Sequence, residues 1–296
     1  MSEPESSVLG PSCLSTICCP DVAAVVEDYC HYLHLKVAAT SIVDELLAEF
    51  WQCPELVGAN MTVLANACGE PWLRLVEVKG IERLAPLKYH GWMALEVLVE
   101  NVDSLIDGLT ASPFKILRPV ANLELSDNIR ACQVEGPCGE VYYFTQIKGD
   151  VPPFDLPRAR CVVDRLFIPV LCAPDRQASQ RFYESFPGTS GLAFDTKITV
   201  INQAYGLPLN QQHPVATLML RDQCLIEIDE IDAALTPPAA SMRANIASIG
   251  FEVDDLDVLT LDWLSPPRKL AALPYSGRRV GLARGPAGEW LELIER

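Results

Sequence analysis

The sequence has little positive charge and no long apolar run. Its 296 residues include 23 Lys and Arg against 39 Asp and Glu, which gives a formal net charge of −16. A surface with this excess of negative charge repels the phosphates of nucleic acids and the head groups of anionic lipids. No stretch approaches the about 18 uninterrupted apolar residues of a membrane span. We therefore expect neither nucleic acid nor a membrane as a partner.

Several common motifs are also missing. The sequence contains no G-x-G-x-x-G, Walker, G-x-S-x-G or H-E-x-x-H pattern, so nucleotide binding, serine hydrolysis and zinc proteolysis have no motif support. Its 11 cysteines include no C-x-x-C pair, which argues against a zinc ribbon or a thioredoxin-type centre. The start of the chain lacks the basic and apolar segments of a signal peptide. We therefore expect a cytoplasmic protein with free thiols.

What the sequence does contain is an internal repeat. Four segments of the first half recur in the same order in the second, at offsets between 149 and 154 residues. The recurring pairs are Ile17–Asp21 with Leu171–Asp175, Trp72–Glu77 with Leu225–Glu230, Val99–Leu105 with Val253–Leu259, and Glu135–Glu140 with Arg284–Glu289. Repetition at a nearly constant offset indicates a duplicated structural unit. We therefore predict a first domain over residues 12–148, a linker over 149–162 and a second domain over 163–296.

Each half divides again into two modules of the same order. Apolar runs and helical periodicity predict a strand, a helix and three strands, and then the same series once more. In the first half these are strand 14–19, helix 21–33, strands 36–42, 61–66 and 72–78, then strand 92–98, helix 102–109 and strands 114–119, 129–135 and 140–147. Asp21, Asp103 and Asp175 are expected at helix N-termini. The predicted fold class is α+β, with four βαβββ modules forming two halves, each with a concave mixed-sheet cup.

These landmarks resemble the vicinal oxygen chelate superfamily, which includes glyoxalase I, bleomycin-resistance proteins and extradiol dioxygenases. The segment Asp28–Val37 is similar to the family's F-Y-x-x-x-L-G-L-x-V, and Phe182-Tyr183 matches its aromatic pair. Residues 250–257 resemble the family's mid-domain strand and turn, and Gly285–Leu293 resembles its terminal D-P-x-G-N-x-I-E-L hairpin. The resemblance covers nearly the whole chain. It implies a tandem-domain protein whose cups hold a divalent metal through His or Gln on first strands and Glu on last strands.

At those positions the first half carries residues that are poor metal ligands. They read Leu14, Arg74, Trp92 (or Ala94) and Tyr143, so we expect no metal in the first cup. Arg74 offers a planar fork for a carboxylate or enolate, and Tyr143 offers an O–H for an oxyanion or a proton relay. Arg74 and Trp92 are therefore candidates for substrate binding, and Tyr143 is a candidate for catalysis. The alternative is that Arg74 pairs with a neighbouring acid and that Tyr143 only packs.

The second half keeps acids at both last-strand positions. The four positions read Ile168, Glu227, Ser248 and Glu292. Two carboxylates alone bind a transition metal poorly, although a divalent metal here is left open. Facing each other across an apolar cup, they would repel, and the pKa of one would rise into the range of a general base. Glu227 and Glu292 are therefore the candidate catalytic pair, and Ile168 and Ser248 are candidate substrate contacts. The alternative is that the two glutamates point outward or form salt bridges.

The leading hypothesis is a small-molecule enzyme of this superfamily that works without the usual metal. Carboxylate acid–base chemistry would make it a lyase, an isomerase or an epimerase, with no cofactor. His90 lies nearest a ligand position and is a further candidate at the rim of the first cup, with a loop role as the alternative. Two other functions stay open: a sequestering protein of the bleomycin-resistance type, and a metal-dependent glyoxalase or dioxygenase with an atypical ligand set. The expected partner is a small molecule, and a homodimer is left open.

Overall fold

The structure is a computed structural model that describes residues 7–124, 126–238 and 242–296. Within these ranges the chain forms sixteen strands, five α-helices and one turn of 3₁₀-helix, Pro54–Leu56. The strands are β1 (Leu9–Cys19), β2 (Lys36–Ile42), β3 (Asn60–Ala65), β4 (Pro71–Glu77), β5 (Gly91–Val99), β6 (Lys115–Leu123), β7 (Ser126–Glu135), β8 (Val141–Ile147), β9 (Val163–Ala173), β10 (Ser190–Lys197), β11 (Gln212–Met219), β12 (Leu225–Glu230), β13 (Asn245–Val253), β14 (Trp263–Lys269), β15 (Arg279–Arg284) and β16 (Trp290–Glu295). The helices are α1 (Val22–Tyr32), α2 (Glu45–Phe50), α3 (Val102–Leu109), α4 (Arg176–Glu184) and α5 (Thr199–Tyr205).

The strands form two eight-stranded sheets. Sheet I has the order β14-β15-β16-β13-β1-β4-β3-β2, and sheet II has the order β10-β11-β12-β9-β5-β8-β7-β6. One antiparallel pairing joins the two modules at the centre of each sheet, β1 with β13 in sheet I and β5 with β9 in sheet II. The four modules and the two curled sheets confirm the predicted fold class. The modules do not pair within each half, however, as the sequence predicted. The first module shares sheet I with the fourth, and the second shares sheet II with the third.

The connection between the two halves explains this arrangement. Residues 148–162 join β8 to β9 and carry no strand or helix, only an isolated bridge between Val151 and Phe154. The chain therefore enters the third module directly beside the second, where β9 pairs with β5. The boundaries of the two sequence repeats remain a prediction. No helix within the described ranges is long and apolar enough to cross a membrane.

Helix N-termini follow the sequence signals with two exceptions. The side chains of Asp21, Asn101 and Asp175 each accept a hydrogen bond from the backbone N–H three residues on, at 2.8 to 3.2 Å. The second module is therefore capped by Asn101 and not by Asp103, which lies in the first turn of α3. In the fourth module, residues 254–262 between β13 and β14 form no helix. The predicted helix is absent there.

Apolar side chains divide into three clusters. The largest draws on both sheets and on α1, α3 and α4, so it lies on the sheet faces that the helices cover. The other two clusters lie on the concave faces of sheet I and sheet II, which we call cup I and cup II. Cup I is lined by apolar residues that include Leu14, Val76, Val280, Leu282 and Ile294. Cup II is lined by apolar residues that include Met93, Ala94, Val141, Val170 and Cys172.

A buried tyrosine ties the first helix of each half to the last hairpin of the same half. Tyr183 Oη donates to Glu289 Oε1 at 2.8 Å, and Tyr29 Oη donates to Glu140 Oε1. All four side chains are buried. Burial raises the pKa of both carboxyl groups to about 7, against the opposing effect of these hydrogen bonds. The shared contact gives a physical reason for the repetition of the tyrosine and of the G-P-x-G-E segment.

Candidate functional site

A buried ion pair occupies the centre of cup I. Arg74 on β4 contacts Glu292 on β16, and the distance between Arg74 Nη2 and Glu292 Oε1 is 2.5 Å. Both side chains are fully buried. Charges in this environment are stable only when they are paired and when their other polar atoms are hydrogen-bonded. The pair is the alternative role that the sequence left open for Arg74.

Four further side chains complete a hydrogen-bonded network around this pair. Glu292 accepts hydrogen bonds from Tyr275 at 2.7 Å, Ser248 at 2.9 Å and Trp51 at 3.1 Å. Arg74 donates to Tyr275 at 2.5 Å and to Thr16 at 2.6 Å. The guanidinium carbon also lies 4.6 Å from the centroid of the Trp51 ring, where a cation–π attraction adds to the pair. The polar atoms of Glu292 are therefore satisfied without any ligand.

Cup I does not fit the divalent metal that the resemblance implies. The cation beside the last-strand glutamate is the Arg74 guanidinium itself, and both oxygens of Glu292 are engaged. A metal ion there would meet a like charge and would have to displace a buried ion pair, which is strongly unfavourable. We therefore interpret cup I as a structural centre.

Cup II holds three acids and a tyrosine on three strands of sheet II, β12, β5 and β8. Glu96 on β5 is in register with Tyr143 on β8. Glu227 and Asp229 both lie on β12, where alternation puts them on one face, and β9 separates them from β5. Asp229 is fully buried, Tyr143 and Glu96 are 7% and 8% exposed, and Glu227 is partly exposed. The four side chains thus converge in an apolar cup, with Glu227 nearest to solvent.

Two members of this group carry buried polar atoms that no hydrogen-bond donor in the described part of the chain satisfies. Within the described ranges, the Tyr143 hydroxyl and both carboxyl oxygens of Asp229 are buried without a donor or acceptor that fits hydrogen-bond geometry. Asp229 and Glu227 lie close enough to share a hydrogen bond, but two carboxyl groups can do so only when one of them carries a proton. Glu96, in contrast, accepts a hydrogen bond from Thr145 Oγ1 at 2.7 Å. In cup I both oxygens of Glu292 are satisfied and only the Nε of Arg74 is left without a partner, whereas in cup II a carboxyl group and a hydroxyl are left without one.

The surroundings of these acids favour their protonated forms. Burial raises the pKa of Glu96 to about 8, with a further contribution from the charge of Glu227. Burial also raises the pKa of Glu227 to about 7. The pKa of Asp229 is raised well above its usual range by burial, and then by the charge of Glu227 and their shared hydrogen bond. Burial and the neighbouring carboxylates raise the pKa of Tyr143 as well.

Cup II does not fit the implied metal site either. The two first-strand positions are the apolar Ala94 and Ile168. Across the parts of the chain that the structure describes, no three His, Cys, Asp or Glu side chains are grouped so that they could hold a metal ion. The acids of cup II are instead arranged as neighbours that share protons.

The pairing of the modules places in different cups the residues that the sequence analysis assigned to the same cup. Glu227 and Glu292 were expected to face each other, but they lie in different sheets and different cups. Arg74 and Tyr143 are separated in the same way. The structure instead brings Arg74 to Glu292 and Tyr143 to Glu227. Glu227 and Glu292 therefore belong to two separate sites and do not form one catalytic pair.

The other candidates have different positions. Ser248 lies in cup I and donates to Glu292. Trp92 belongs to the large core cluster outside the cups, and Trp92 Nε1 donates to the backbone oxygen of Trp290 at 2.8 Å. Ile168 lies directly opposite Glu96, on the face of β9 that carries Val170 into cup II. His90 precedes β5 and is half-buried, and burial lowers its pKa.

Sequence reasoning missed Glu96 and Asp229, which complete cup II. A signal existed for both: Glu96 is the one acid in the apolar run of β5, and Asp229 shares the strand face of Glu227. It also missed two partners of Glu292 in cup I. Trp51 follows the short helix α2, and Tyr275 lies in the loop between β14 and β15. No periodic pattern marks those two positions.

Comparison with solved structures finds the same tandem architecture. Glyoxalase I from Zea mays matches with a TM-score of 0.63 at 14% sequence identity, covering 96% of this chain and 92% of that one. A putative dioxygenase from Bacillus subtilis matches with a TM-score of 0.64 at 10% identity, covering 98% of this chain and 86% of that one. Neither protein-family models nor curated proteins give a match. The similarity concerns the fold: this chain has the tandem glyoxalase-like fold that the sequence resemblance implied.

Proposed function

We propose that the chain is a small-molecule enzyme that moves a proton by carboxylate acid–base catalysis in cup II, in a reaction of the isomerase, epimerase or lyase type. The supporting observation is the buried group of Glu96, Tyr143, Glu227 and Asp229. Within the described residues, the Tyr143 hydroxyl has no hydrogen-bond partner, and Asp229 lies against a second carboxyl group, that of Glu227. Buried polar atoms are nearly always satisfied in folded proteins, so unsatisfied ones in a cup point to a bound molecule. Acids with strongly raised pKa in a cleft are typical of functional sites.

Glu227 is the general base in this proposal. It is the most exposed of the three acids, and its pKa of about 7 keeps much of it ionised at neutral pH. A base whose pKa lies near the working pH is the most effective one. Asp229 holds the proton of the pair, because it is fully buried and its pKa is raised well above its usual range. The two carboxyl groups therefore titrate as a coupled pair.

Tyr143 provides the hydrogen-bond donor to the substrate, because the proton of Asp229 is shared with Glu227. The raised pKa of Tyr143 keeps its hydroxyl neutral. When Glu227 removes a proton from a carbon next to a carbonyl group, negative charge develops on the carbonyl oxygen. An O–H group aimed at that oxygen stabilises the charge in an apolar site. Return of the proton to another carbon or to the opposite face completes an isomerisation or epimerisation, and loss of a leaving group completes an elimination.

The proposal includes no cofactor, because the side chains of neither cup fit a metal ion. The substrate class is a small carbonyl compound with an acidic C–H bond. Its oxygen would accept from Tyr143, and its reacting carbon would lie against Glu227. Met93, Val141 and Val170 provide apolar surface around it.

Exchange of substrate hydrogen with solvent deuterium tests the proposal. The protein is incubated in D₂O with a panel of small aldehydes, ketones, 2-oxo acids and their esters, and deuterium at the carbon next to the carbonyl is followed by NMR. We expect exchange with at least one compound. Glu227→Gln should then lower the rate by about 10²–10⁴-fold. Glu77→Gln is the matched control, because Glu77 lies at the end of β4 and accepts only from the exposed Asn60.

Thermal-shift measurements on the same panel separate catalysis from binding. A compound that raises the Tm of the protein, loses this effect in Tyr143→Phe and shows no exchange would contradict the proposal and favour a sequestering protein. Exchange at the full rate in both Glu227→Gln and Tyr143→Phe would place the chemistry outside cup II. That result would refute the assignment of the site.

A further inference from the structure

Two cysteines meet at the surface where sheet I contacts the linker. Cys68 lies in the turn between β3 and β4 and is the one exposed cysteine among the eleven, all of which are described. Cys161 lies two residues before β9 and is partly exposed. Burial raises the pKa of Cys161, and the two thiols lie close enough for the charge of Cys68 to add to that effect. No disulfide joins them.

Polar residues on both sides of the two cysteines hold their segments together. Arg160 donates to both carboxylate oxygens of Glu70, at 2.6 and 2.5 Å, and to Asp164 at 2.6 Å. Asn66 Nδ2 donates to Asp164 Oδ1 at 2.8 Å. The residues that flank one cysteine therefore contact the residues that flank the other. A disulfide needs two cysteines whose backbones lie close together, and these contacts hold the two segments against each other.

We propose that Cys68 and Cys161 form a reversible disulfide in reaction with a small-molecule disulfide. The thiolate of Cys68 attacks one sulfur of that compound, which forms a mixed disulfide and releases one small thiol. Cys161 then loses its proton and attacks the sulfur of Cys68, which forms the protein disulfide and releases the second small thiol. Two protein thiols are oxidised, and one small disulfide is reduced to two thiols.

Exposure decides the order of the two attacks. Cys68 is open to solvent, whereas burial and the charge of Asp164 raise the pKa of Cys161, which makes Cys161 the slower first nucleophile. Its contact with Cys68 still makes it the nearest thiol to a mixed disulfide there. Buried cysteines elsewhere are protected, and burial raises the pKa of Cys132 and Cys172 to about 12. The reaction should therefore be selective for one pair.

The disulfide would join two parts of the molecule that belong to different sheets. The two cysteines are separated by 93 positions in the sequence, and they lie beside the β3–β4 hairpin of sheet I and the start of β9 in sheet II. A cross-link over a long loop restricts the unfolded chain and stabilises the folded one. The oxidised protein should therefore have a higher Tm than the reduced protein.

Treatment of the purified protein with glutathione disulfide tests the proposal. Free thiols are then alkylated, and the protein is digested without reduction and analysed by mass spectrometry. We expect a peptide that joins Cys68 to Cys161, the loss of two alkylated thiols and a rise in Tm that dithiothreitol reverses. Cys161→Ser should keep a glutathione adduct on Cys68. Cys30→Ser replaces another partly exposed cysteine, on α1, and should form the disulfide as the unmodified chain does.

Three results would overturn the proposal. They are a stable glutathione adduct on Cys68 in the unmodified chain, two free thiols after the same treatment, and a disulfide that joins either cysteine to a different partner. Arg160→Ala adds a kinetic readout, because loosening the frame should prolong the lifetime of the mixed disulfide. None of these measurements depends on the activity of cup II, so they stand apart from the proposed function.

Discussion

Replacing Glu96 by glutamine should stabilise the protein, and the gain should depend on pH. Glu96 is 8% exposed and lies in an apolar cup where its charged form is unfavourable. The ionisable groups that face it are Glu227 and Asp229 on β12 and Tyr143 on β8. None of these carries a positive charge. Ionisation of Glu96 therefore costs free energy that the fold does not recover at this site.

The direction of the effect depends on which state of the chain holds the proton. Below pH 4.5 the carboxyl group is protonated in both the folded and the unfolded chain. Between 4.5 and about 8, the folded chain keeps a proton that the unfolded chain has lost, so the free energy of unfolding falls as the pH rises. Above about 8 the loss is complete. At about 1.4 kcal/mol per pH unit, the loss attributed to Glu96 reaches about 5 kcal/mol, as an upper limit.

Glutamine removes the charge but keeps a side-chain oxygen. In the unmodified chain, Thr145 Oγ1 donates a hydrogen bond to Glu96 Oε1 at 2.7 Å, and the glutamine oxygen can accept the same bond. We therefore expect Glu96→Gln and the unmodified chain to have similar free energies of unfolding near pH 5. The variant should be more stable by several kcal/mol at pH 8.5. Urea unfolding of both proteins at pH 5, 7 and 8.5 measures this difference in the free energy of unfolding. Titratable groups far from Glu96 contribute equally to both proteins, so their contributions cancel in the difference. A difference that stays constant with pH would refute the reasoning.

Two further predictions concern buried pairs outside cup II. Arg74→Ala leaves the charge of Glu292 buried without its cation and should lower the free energy of unfolding by about 3–5 kcal/mol in urea; a loss under about 1 kcal/mol would show that the pair is not desolvated. Tyr183→Phe removes the donor to Glu289 and should cost about 1–3 kcal/mol. Tyr32→Phe, at a partly exposed tyrosine of α1, is its control, and equal losses in the two variants would contradict the role of the buried hydrogen bond.

The sequence by itself determined the local elements and the repeat. The predicted helix 102–109 coincides with α3 (Val102–Leu109), and the predicted strand 36–42 coincides with β2 (Lys36–Ile42). These elements depend on the spacing of apolar residues within one segment, which is visible in the sequence. The recurring tyrosine and G-P-x-G-E segment also reflect a real contact, that of Tyr183 with Glu289. The short helices α2 and α5 were missed, because six or seven residues are too few to show helical periodicity.

Only the tertiary structure decided which modules share a cup, and with that the candidate site. The pairing of β1 with β13 and of β5 with β9 is made by backbone hydrogen bonds, which are the same for any apolar strand and leave no distinct residue pattern. That pairing brings Arg74 to Glu292, so that the two charges in cup I neutralise each other. In cup II it leaves Glu227 beside Asp229 and Glu96, which are also acids and do not neutralise its charge. The sequence placed Glu227 on the correct face of β12, but the burial that raises its pKa comes from the packing of the neighbouring strands. A titratable group is tuned by the charges and the burial around it, and these depend on contacts between segments far apart in the chain.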